Sequence, residues 1–247
     1  MDSKITNLFI KKMKNEPMIE MSRIEVERNF GIHECIHSKK GSPRQILVVN
    51  KRILEDFSLP SGALKENICI DNLLDLDSGD EIIINNKIRL RVTFNCEICK
   101  YIKQLEIDNI NNLIGKRGYL CTVQTSGTIK VDDPVSISRK KYSVIPDKYI
   151  DRFRWIISKI PYGKVLTYSD LLILVGGSNA YLRVFPYYLK QSKDKNLPLY
   201  RIVNSKGRLL DFLDEQETKL NREGVKINNG MVDVSINKWK YENLYTV

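Results

Sequence analysis

Glu81-Ile-Ile-Ile84-Asn-Asn-Lys87-Ile88-Arg-Leu-Arg-Val-Thr93 places two short β-branched runs on either side of an Asn-Asn pair. Asparagine tolerates positive φ, so Asn85-Asn86 predicts a tight hairpin joining two strands. Similar runs recur on both sides, at Gln45–Val49, Asn67–Ile70 and Tyr119–Val123. Turn formers punctuate them: Pro43, Pro60 with Gly62, Ser78-Gly-Asp80, Ser126-Gly127 and Asp132-Asp-Pro134. Short strands at this spacing predict a sandwich or barrel between Gln45 and Val135. The stretch Lys103–Ile114 is the best candidate for a helical interruption.

Beyond it the pattern changes. Ser138-Arg-Lys-Lys-Tyr142, followed by Pro146, reads as an exposed linker. Tyr149, Phe153, Ile156, Ile157 and Ile160 then recur at helical spacing, and Pro161 stops the helix. Thr167 with Asp170 resembles a capping box opening a helix over Tyr168–Val175, which Gly176-Gly177 closes. Ser178 caps a further helix running towards Gln191. Two short helices around a Gly-containing turn are the helix-turn-helix signature. The expected division is an all-β domain over 1–143 and a mainly α, winged-helix-like helix-turn-helix domain over 144–247.

The 247 residues carry 40 Lys plus Arg against 30 Asp plus Glu, a net charge of +10. With 42% hydrophobic residues the chain can bury real cores, which excludes wholesale disorder. No run approaches the roughly 20 apolar residues that span a bilayer. The start of the chain lacks the apolar region of a secretory signal, so no membrane association and a cytoplasmic location are expected. Five cysteines, an odd number in a long chain, argue against a disulfide scaffold. Residues 146–247 hold 17 basic and 11 acidic side chains, and nucleic acid is the commonest partner of such an excess.

Phe94-Asn-Cys96-Glu-Ile-Cys99 follows directly on a strand. Thiols at i and i+3 suit half a zinc site, a redox pair, or a nucleophile with a neighbour. His33, Cys35 and His37 are the candidates to complete a zinc site, since an extended segment would put all three on one face. Cys69 and Cys121 sit within apolar strands and read as buried small hydrophobes. For Cys96 and Cys99, structural burial, zinc and thiol chemistry all stay open on spacing alone.

Six ordered blocks between Gly31 and Ile137 resemble the MOSC domain, found at the C-terminus of molybdenum-cofactor sulfurases. They are Gly31-Ile-His-Glu-Cys-Ile-His37, Arg44-Gln-Ile-Leu47, Ser61-Gly-Ala-Leu-Lys-Glu-Asn-Ile68, Asp77-Ser-Gly-Asp80, Val92-Thr-Phe-Asn-Cys96-Glu-Ile-Cys99, and Gly115-Lys-Arg-Gly118 leading to Gly127-Thr-Ile-Lys-Val-Asp132. The resemblance implies a β-barrel that binds molybdenum cofactor or carries sulfur, with Cys96 as the thiolate and Cys99 as its partner. It places His37, Arg44, Glu66 and Asn67 along the cofactor pocket. Cys35 departs from the family, which usually has Asp there. A barrel kept as a scaffold without cofactor is the alternative.

Tyr149 to Val225 resembles the DNA-binding domain of O6-alkylguanine-DNA alkyltransferases. The resemblance rests on Ile160-Pro-Tyr-Gly-Lys-Val-Leu-Thr-Tyr168-Ser-Asp-Leu171, Gly176-Gly-Ser178-Asn-Ala-Tyr-Leu-Arg183-Val184, Leu197-Pro-Leu-Tyr-Arg-Ile-Val203, Asn204-Ser-Lys-Gly207-Arg-Leu209 and Leu220-Asn-Arg-Glu-Gly-Val225. The family's Pro-Cys-His-Arg acceptor block is here Pro198-Leu199-Tyr200-Arg201. Leucine offers no nucleophile, so an active alkyltransferase is excluded, and the pattern matches alkyltransferase-like proteins that recognise damaged bases. The resemblance implies that Tyr168 contacts the target phosphate and that Arg183 enters the base stack. Ser178, Tyr200 and Arg201 join them as nucleic-acid contacts. After Arg183 the family has small residues, whereas this chain has Val184-Phe-Pro-Tyr187, and Pro186 should kink or end the helix.

The expected function is recognition and flipping of a modified DNA base, with thiol, sulfur-transfer or molybdenum chemistry supplied through Cys96. A non-catalytic damage sensor and an RNA-modifying sulfur-transfer protein are the alternatives. Residues 1–25 and 226–247 match neither family, with Trp239 and Tyr241 as the residues to dock the tail.

Overall fold

The computed structural model describes residues 3–105 and 107–246. The chain divides into two compact units. One runs to Ile145 and takes in the tail from Glu242; the other is Pro146–Tyr241. The expected boundary at 143/144 moves by two residues, and the tail leaves the second unit for the first.

The strands of the first unit are β1 (Ser3–Ile10), β2 (Ile19–Met21), β3 (Arg23–Glu27), β4 (Gly31–Ile32), β5 (Ile46–Asn50), β6 (Ile68–Ile70), β7 (Glu81–Ile84), β8 (Ile88–Asn95), β9 (Tyr119–Val123), β10 (Gly127–Lys130) and β11 (Pro134–Ser138). One sheet has the order β11-β7-β8-β9-β5-β6-β1-β2, and an extra β1–β11 pairing closes it into a barrel. Ser3 there lies opposite Val135 and Lys4 opposite Pro134. Closure removes the exposed edges that β11 and β1 would otherwise present. β3, β4 and β10 form a small second sheet. Alternate residues of the strands point inward, so Leu8, Val48, Ile68, Ile82, Leu90 and Val123 are fully buried in one cluster.

The barrel expected from the MOSC resemblance is present. Its hairpin forms as predicted: Asn85 and Asn86 take φ of 49° and 56°, and Lys87 N–H donates to the Ile84 carbonyl at 3.0 Å. α1 (Lys51–Asp56) follows β5, with the Asn50 side chain accepting from Arg52 N–H. The helix expected over Lys103–Ile114 does not form as one element. α2 (Lys100–Lys103) ends where it was to begin, a 3-10 turn occupies Ile110–Leu113, and Glu106 lies outside the described residues.

The segment after Ser138 is no free linker. Asp80 and Glu81 are each 1% exposed and need partners, and this segment supplies them. Arg139 and the Lys140 N–H bind Asp80 at 2.7 and 2.8 Å, Tyr142 hydroxyl binds Glu81 at 2.5 Å, and Arg89 completes Glu81 at 2.7 Å. Tyr245, from the tail, is fully buried and its carbonyl accepts from Thr122 and Gln124.

The second unit holds α3 (Tyr149–Ser158), β12 (Leu166–Thr167), α4 (Tyr168–Leu174), α5 (Phe185–Gln191), β13 (Ile202–Val203), α6 (Gln216–Arg222), β14 (Ile227–Asn228), β15 (Met231–Val232) and α7 (Val234–Asn237). The capping box is present. Thr167 Oγ1 accepts the Asp170 N–H at 3.2 Å, and Gly176 takes φ of 69° where α4 ends. Asp170 also accepts from Tyr241 hydroxyl at 2.6 Å, which docks the tail of this unit as expected. No helix among the described residues is long and apolar enough to cross a membrane.

Asp80 carries a testable consequence. Burial alone would raise its pKa, but the N–H groups of Asp77 and Lys140 and the Arg139 guanidinium outweigh it and hold the carboxyl below the ordinary value. A depressed folded-state pKa adds stability above the unfolded value of ~4 and forfeits it as pH falls through the folded one. Urea titrations should show wild-type stability falling from about pH 5 downward. Asp80→Asn should cost about 1.5–3 kcal/mol at pH 7 and flatten that slope. An unchanged slope would remove Asp80 as its source.

Candidate functional site

Two side-chain clusters can carry chemistry, one in each unit. In the first, β8 has a register shift between Val92 and Phe94, which re-aims its end before Cys96. Cys96 N–H donates to the Gly118 carbonyl at 2.8 Å. Gly118 has φ of 128°, and a Cβ there would meet the Val48 carbonyl at 2.5 Å, so only glycine lets these strands approach. Thr93 Oγ1 binds the Pro43 carbonyl at 2.8 Å, which brings the following Arg44 to 4.0 Å from the Cys96 sulfur.

The two thiols differ. Cys96 is 3% exposed, and burial pushes its pKa up against the pull of Arg117 and Arg44. Cys99 is exposed. Residual burial raises its pKa, but the N–H groups of Ile102 and Tyr101 with Arg117 and Lys65 bring it below the ordinary value. Arg117 is the hub, with Nη1 donating to the Glu97 carbonyl and lying 3.7 Å from Cys99 Sγ, and Nη2 3.3 Å from the Leu64 carbonyl. Lys65 Nζ sits 3.3 Å above the Tyr101 ring. Both line a cleft of about 430 Å³ together with Lys11, Lys14 and Gly62.

Glu66 is fully buried. One oxygen accepts from Gly62 N–H, the other has no partner, and burial raises its pKa. His37 is exposed, and desolvation by its surroundings with Lys11, Lys65 and Arg44 lowers its pKa. Asn67 faces inward. Its amide accepts from Leu47 N–H at 3.0 Å and donates to the Phe9 carbonyl at 3.2 Å, tying β5 to β1. The zinc site weighed from spacing does not assemble. Residues 33–37 turn rather than extend, Glu34 has φ of 60°, and Cys35 is buried while His33 and His37 stay outside. Among the described residues no group of three His, Cys, Asp or Glu side chains could hold a metal ion.

In the second unit the stretch after Gly177 starts as a 3-10 turn, Asn179–Arg183, and passes through Val184 into α5. Ser178 is exposed and its side chain makes no capping bond. Pro186 falls in the first turn of α5, where its missing N–H is tolerated, so the expected break appears as a change of pitch. Arg183 is exposed. Tyr168, expected at a phosphate, turns its hydroxyl into the protein, where it has no partner and burial pushes its pKa up. Its ring meets Phe185 edge-on at 5.7 Å.

Tyr200 and Arg201, expected to face nucleic acid, also turn inward. Arg201 Nη2 lies 2.6 Å from Glu223 Oε1, its Nε reaches both Glu223 oxygens, and its Nη1 holds the Ile160 carbonyl at 2.6 Å. Tyr200 hydroxyl donates to the same carboxylate at 2.6 Å, which also accepts Gly163 N–H at 2.9 Å. Sequence reasoning missed Glu223, and equally the Tyr149–Tyr181 stack at 3.7 Å between ring centroids. A Cβ on Gly177 would fall 1.6 Å from the Tyr149 hydroxyl, so the Gly176-Gly177 pair was its signal.

Residues 150–225 match the family model of the 6-O-methylguanine DNA methyltransferase DNA-binding domain. The DNA base-flipping protein of Escherichia coli is 30% identical over 99 residues, which cover 38% of this chain and 77% of that protein. The chain belongs to this family. A bifunctional methyltransferase/endonuclease of Picrophilus torridus is 33% identical over 92 residues, and the chain spans only 30% of its length. Among solved structures, the YuaD protein of Bacillus subtilis aligns at 18% identity and TM-score 0.46, over 56% of this chain and 96% of that one. The S. pombe Atl1 complex with damaged DNA aligns at 26% identity and TM-score 0.34, over 37% and 94%.

In the second unit Leu199, between Pro198 and Tyr200, is buried, with only 6% exposure. The side chains of the neighbouring Arg201–Glu223 pair are only 13% and 5% exposed, so deleting one partner strands a largely buried charge. Arg201→Ala should destabilise the protein by about 3–5 kcal/mol in chemical denaturation. In the first unit, alkylation at neutral pH followed by peptide mapping should find Cys99 modified first, with a rate profile inflecting below that of a free thiol. Equal labelling of Cys96 would contradict the burial contrast.

Proposed function

We propose that the protein binds DNA through its second unit, turns a modified base out of the stack, and does not alkylate itself. The observation that carries this reading is Arg183, exposed at the end of the 3-10 turn while Phe185 and Leu189 on the same helical stretch are fully buried. A cation presented outward by the second helix of a helix-turn-helix can occupy the space a flipped nucleotide leaves and offset phosphate charge. The base-flipping relative supports it. Leu199 at the acceptor position has no proton to lose and no lone pair to offer, which excludes transfer of an alkyl group to it.

In the same reading the first unit contributes a thiol in a cationic pocket. Arg44, Lys65 and Arg117 surround Cys96 and Cys99, and the unpartnered Glu66 oxygen adds a hydrogen-bonding group; this set fits an anionic cofactor with a thiophilic metal. Molybdenum cofactor, when bound, would supply that metal centre, with the three cations holding its anionic groups. The five cysteines are all free thiols, which suits a reducing cytoplasm.

Binding to a duplex carrying O6-alkylguanine, followed by fluorescence anisotropy at fixed salt, tests the DNA reading. Arg183→Ala should weaken binding about tenfold, and Cys96→Ala should leave it unchanged. Wild-type affinity in Arg183→Ala would overturn the reading. Preference for an RNA competitor at equal salt would move the partner from DNA to RNA.

A further inference from the structure

Five aromatic side chains lie at or near the segment that carries Arg183, and all but one are occupied inside the protein. Tyr181 stacks on Tyr149. Phe185 is fully buried against Phe153 and Tyr168, at 5.4 and 5.7 Å. Tyr188 meets the Phe153 ring edge-on at 5.5 Å, and Tyr200 is held by Glu223. Tyr187 is different. It is 58% exposed, the tip of its ring accepts a hydrogen bond from the Gln191 amide at 2.6 Å, and its nearest ring neighbour, Tyr188, is tilted 6.2 Å away.

Backbone continuity places Tyr187 beside Arg183. Val184 has helical φ and ψ of −91° and −21°, and Tyr188 N–H donates to the Val184 carbonyl at 3.0 Å, so the 3-10 turn runs into α5 without reversal. Residues four apart on such a stretch share a face. Arg183, Tyr187, Lys190 and Gln191 are exposed, whereas Phe185 and Leu189 are buried. The exposed stripe is therefore cation, aromatic ring, cation, with Lys193 and Lys195 following.

We propose that Tyr187 is a stacking platform for an unstacked nucleotide base next to the position Arg183 takes. The inference rests on the DNA reading and adds the group that receives the base. A single ring offers too little apolar area for a stable protein interface, and the flanking cations favour a polyanion. Gln191 fixes the ring from its edge and leaves its face open, so stacking costs little side-chain entropy. Every base has a π-face, so the contact tolerates sequence and responds to loss of stacking in the duplex.

The test uses the full chain and a duplex with 2-aminopurine opposite an abasic site, read by fluorescence and by affinity. Wild type should quench the 2-aminopurine. Tyr187→Ala should lose the quenching and about tenfold in affinity, and Tyr187→Phe, which keeps the ring, should stay within about twofold of wild type. Circular dichroism checks that each variant is folded. Wild-type quenching and affinity in Tyr187→Ala, with Arg183→Ala weakened, would overturn the platform and leave the DNA reading standing. A Tyr187→Phe loss equal to that of Tyr187→Ala would also overturn it, because the hydroxyl and not the ring would then be responsible. Full affinity in both Arg183→Ala and Tyr187→Ala would overturn platform and DNA reading together.

Discussion

The carboxylate of Glu223 joins three parts of the second unit that are distant in sequence. It takes Arg201 and Tyr200 from the loop after Pro198, and the Gly163 N–H from the turn that opens the helix-turn-helix. Burying two charges costs several kcal/mol each unless geometry and further hydrogen bonds offset it. Here both conditions hold, because Arg201 contacts both oxygens of the carboxylate and its remaining donors hold the Ile160 carbonyl. Burial and its bond to Glu223 raise the Tyr200 pKa, while Arg201 and Tyr200 hold Glu223 low against its own burial. The loop is thus set as a rigid support, and the outward groups come from the preceding 3-10 turn and α5.

The first unit divides the same tasks among several charges. Asp80 and Glu81 at the start of β7 hold down the segment after β11, and β11 in turn closes the barrel on β1. At the end of β8 a different set of cations gathers around two thiols. Arg117 donates to backbone carbonyls on two loops, so its charge stays near Cys99 at small entropic cost. Burial makes Cys96 a thiol and exposure beside Arg117 makes Cys99 the readier thiolate, which sequence spacing alone could not separate.

What sequence could disclose follows from how local each cause is. The β7–β8 hairpin was legible because Asn85 and Asn86 carry their own turn chemistry, and α4 because Thr167 and Asp170 cap it three residues apart. β1 was illegible: only its end pairs nearby, with the short β2, and its other partners on β6 and β11 lie dozens of residues away. The charged stretch after Ser138 looked solvated, since the buried carboxylates that anchor it precede it by nearly sixty residues. Tyr200 and Arg201 were misdirected for the same reason, their partner Glu223 being over twenty positions on. Tyr168 and Arg183 were equally prominent in the motif, yet packing turns one inward and leaves the other outside.

Val184-Phe-Pro-Tyr187 seemed to damage the second helix, and the structure gives each residue a use. Phe185 fills the space beneath Tyr168 and beside Phe153, where a small residue would leave a void worth a few kcal/mol at most. Pro186 sits in the first turn of α5, where no helical hydrogen bond is owed by its nitrogen. The helical Val184 carries the turn into α5, so Arg183, four residues before Tyr187, shares its face. One departure from small residues thus does two things at once. It secures the helix from within through Phe185, and it moves aromatic surface outward through Tyr187. A helix weakened by drift would not be expected to retain a buried anchor on one side and a polar-tethered exposed ring on the other.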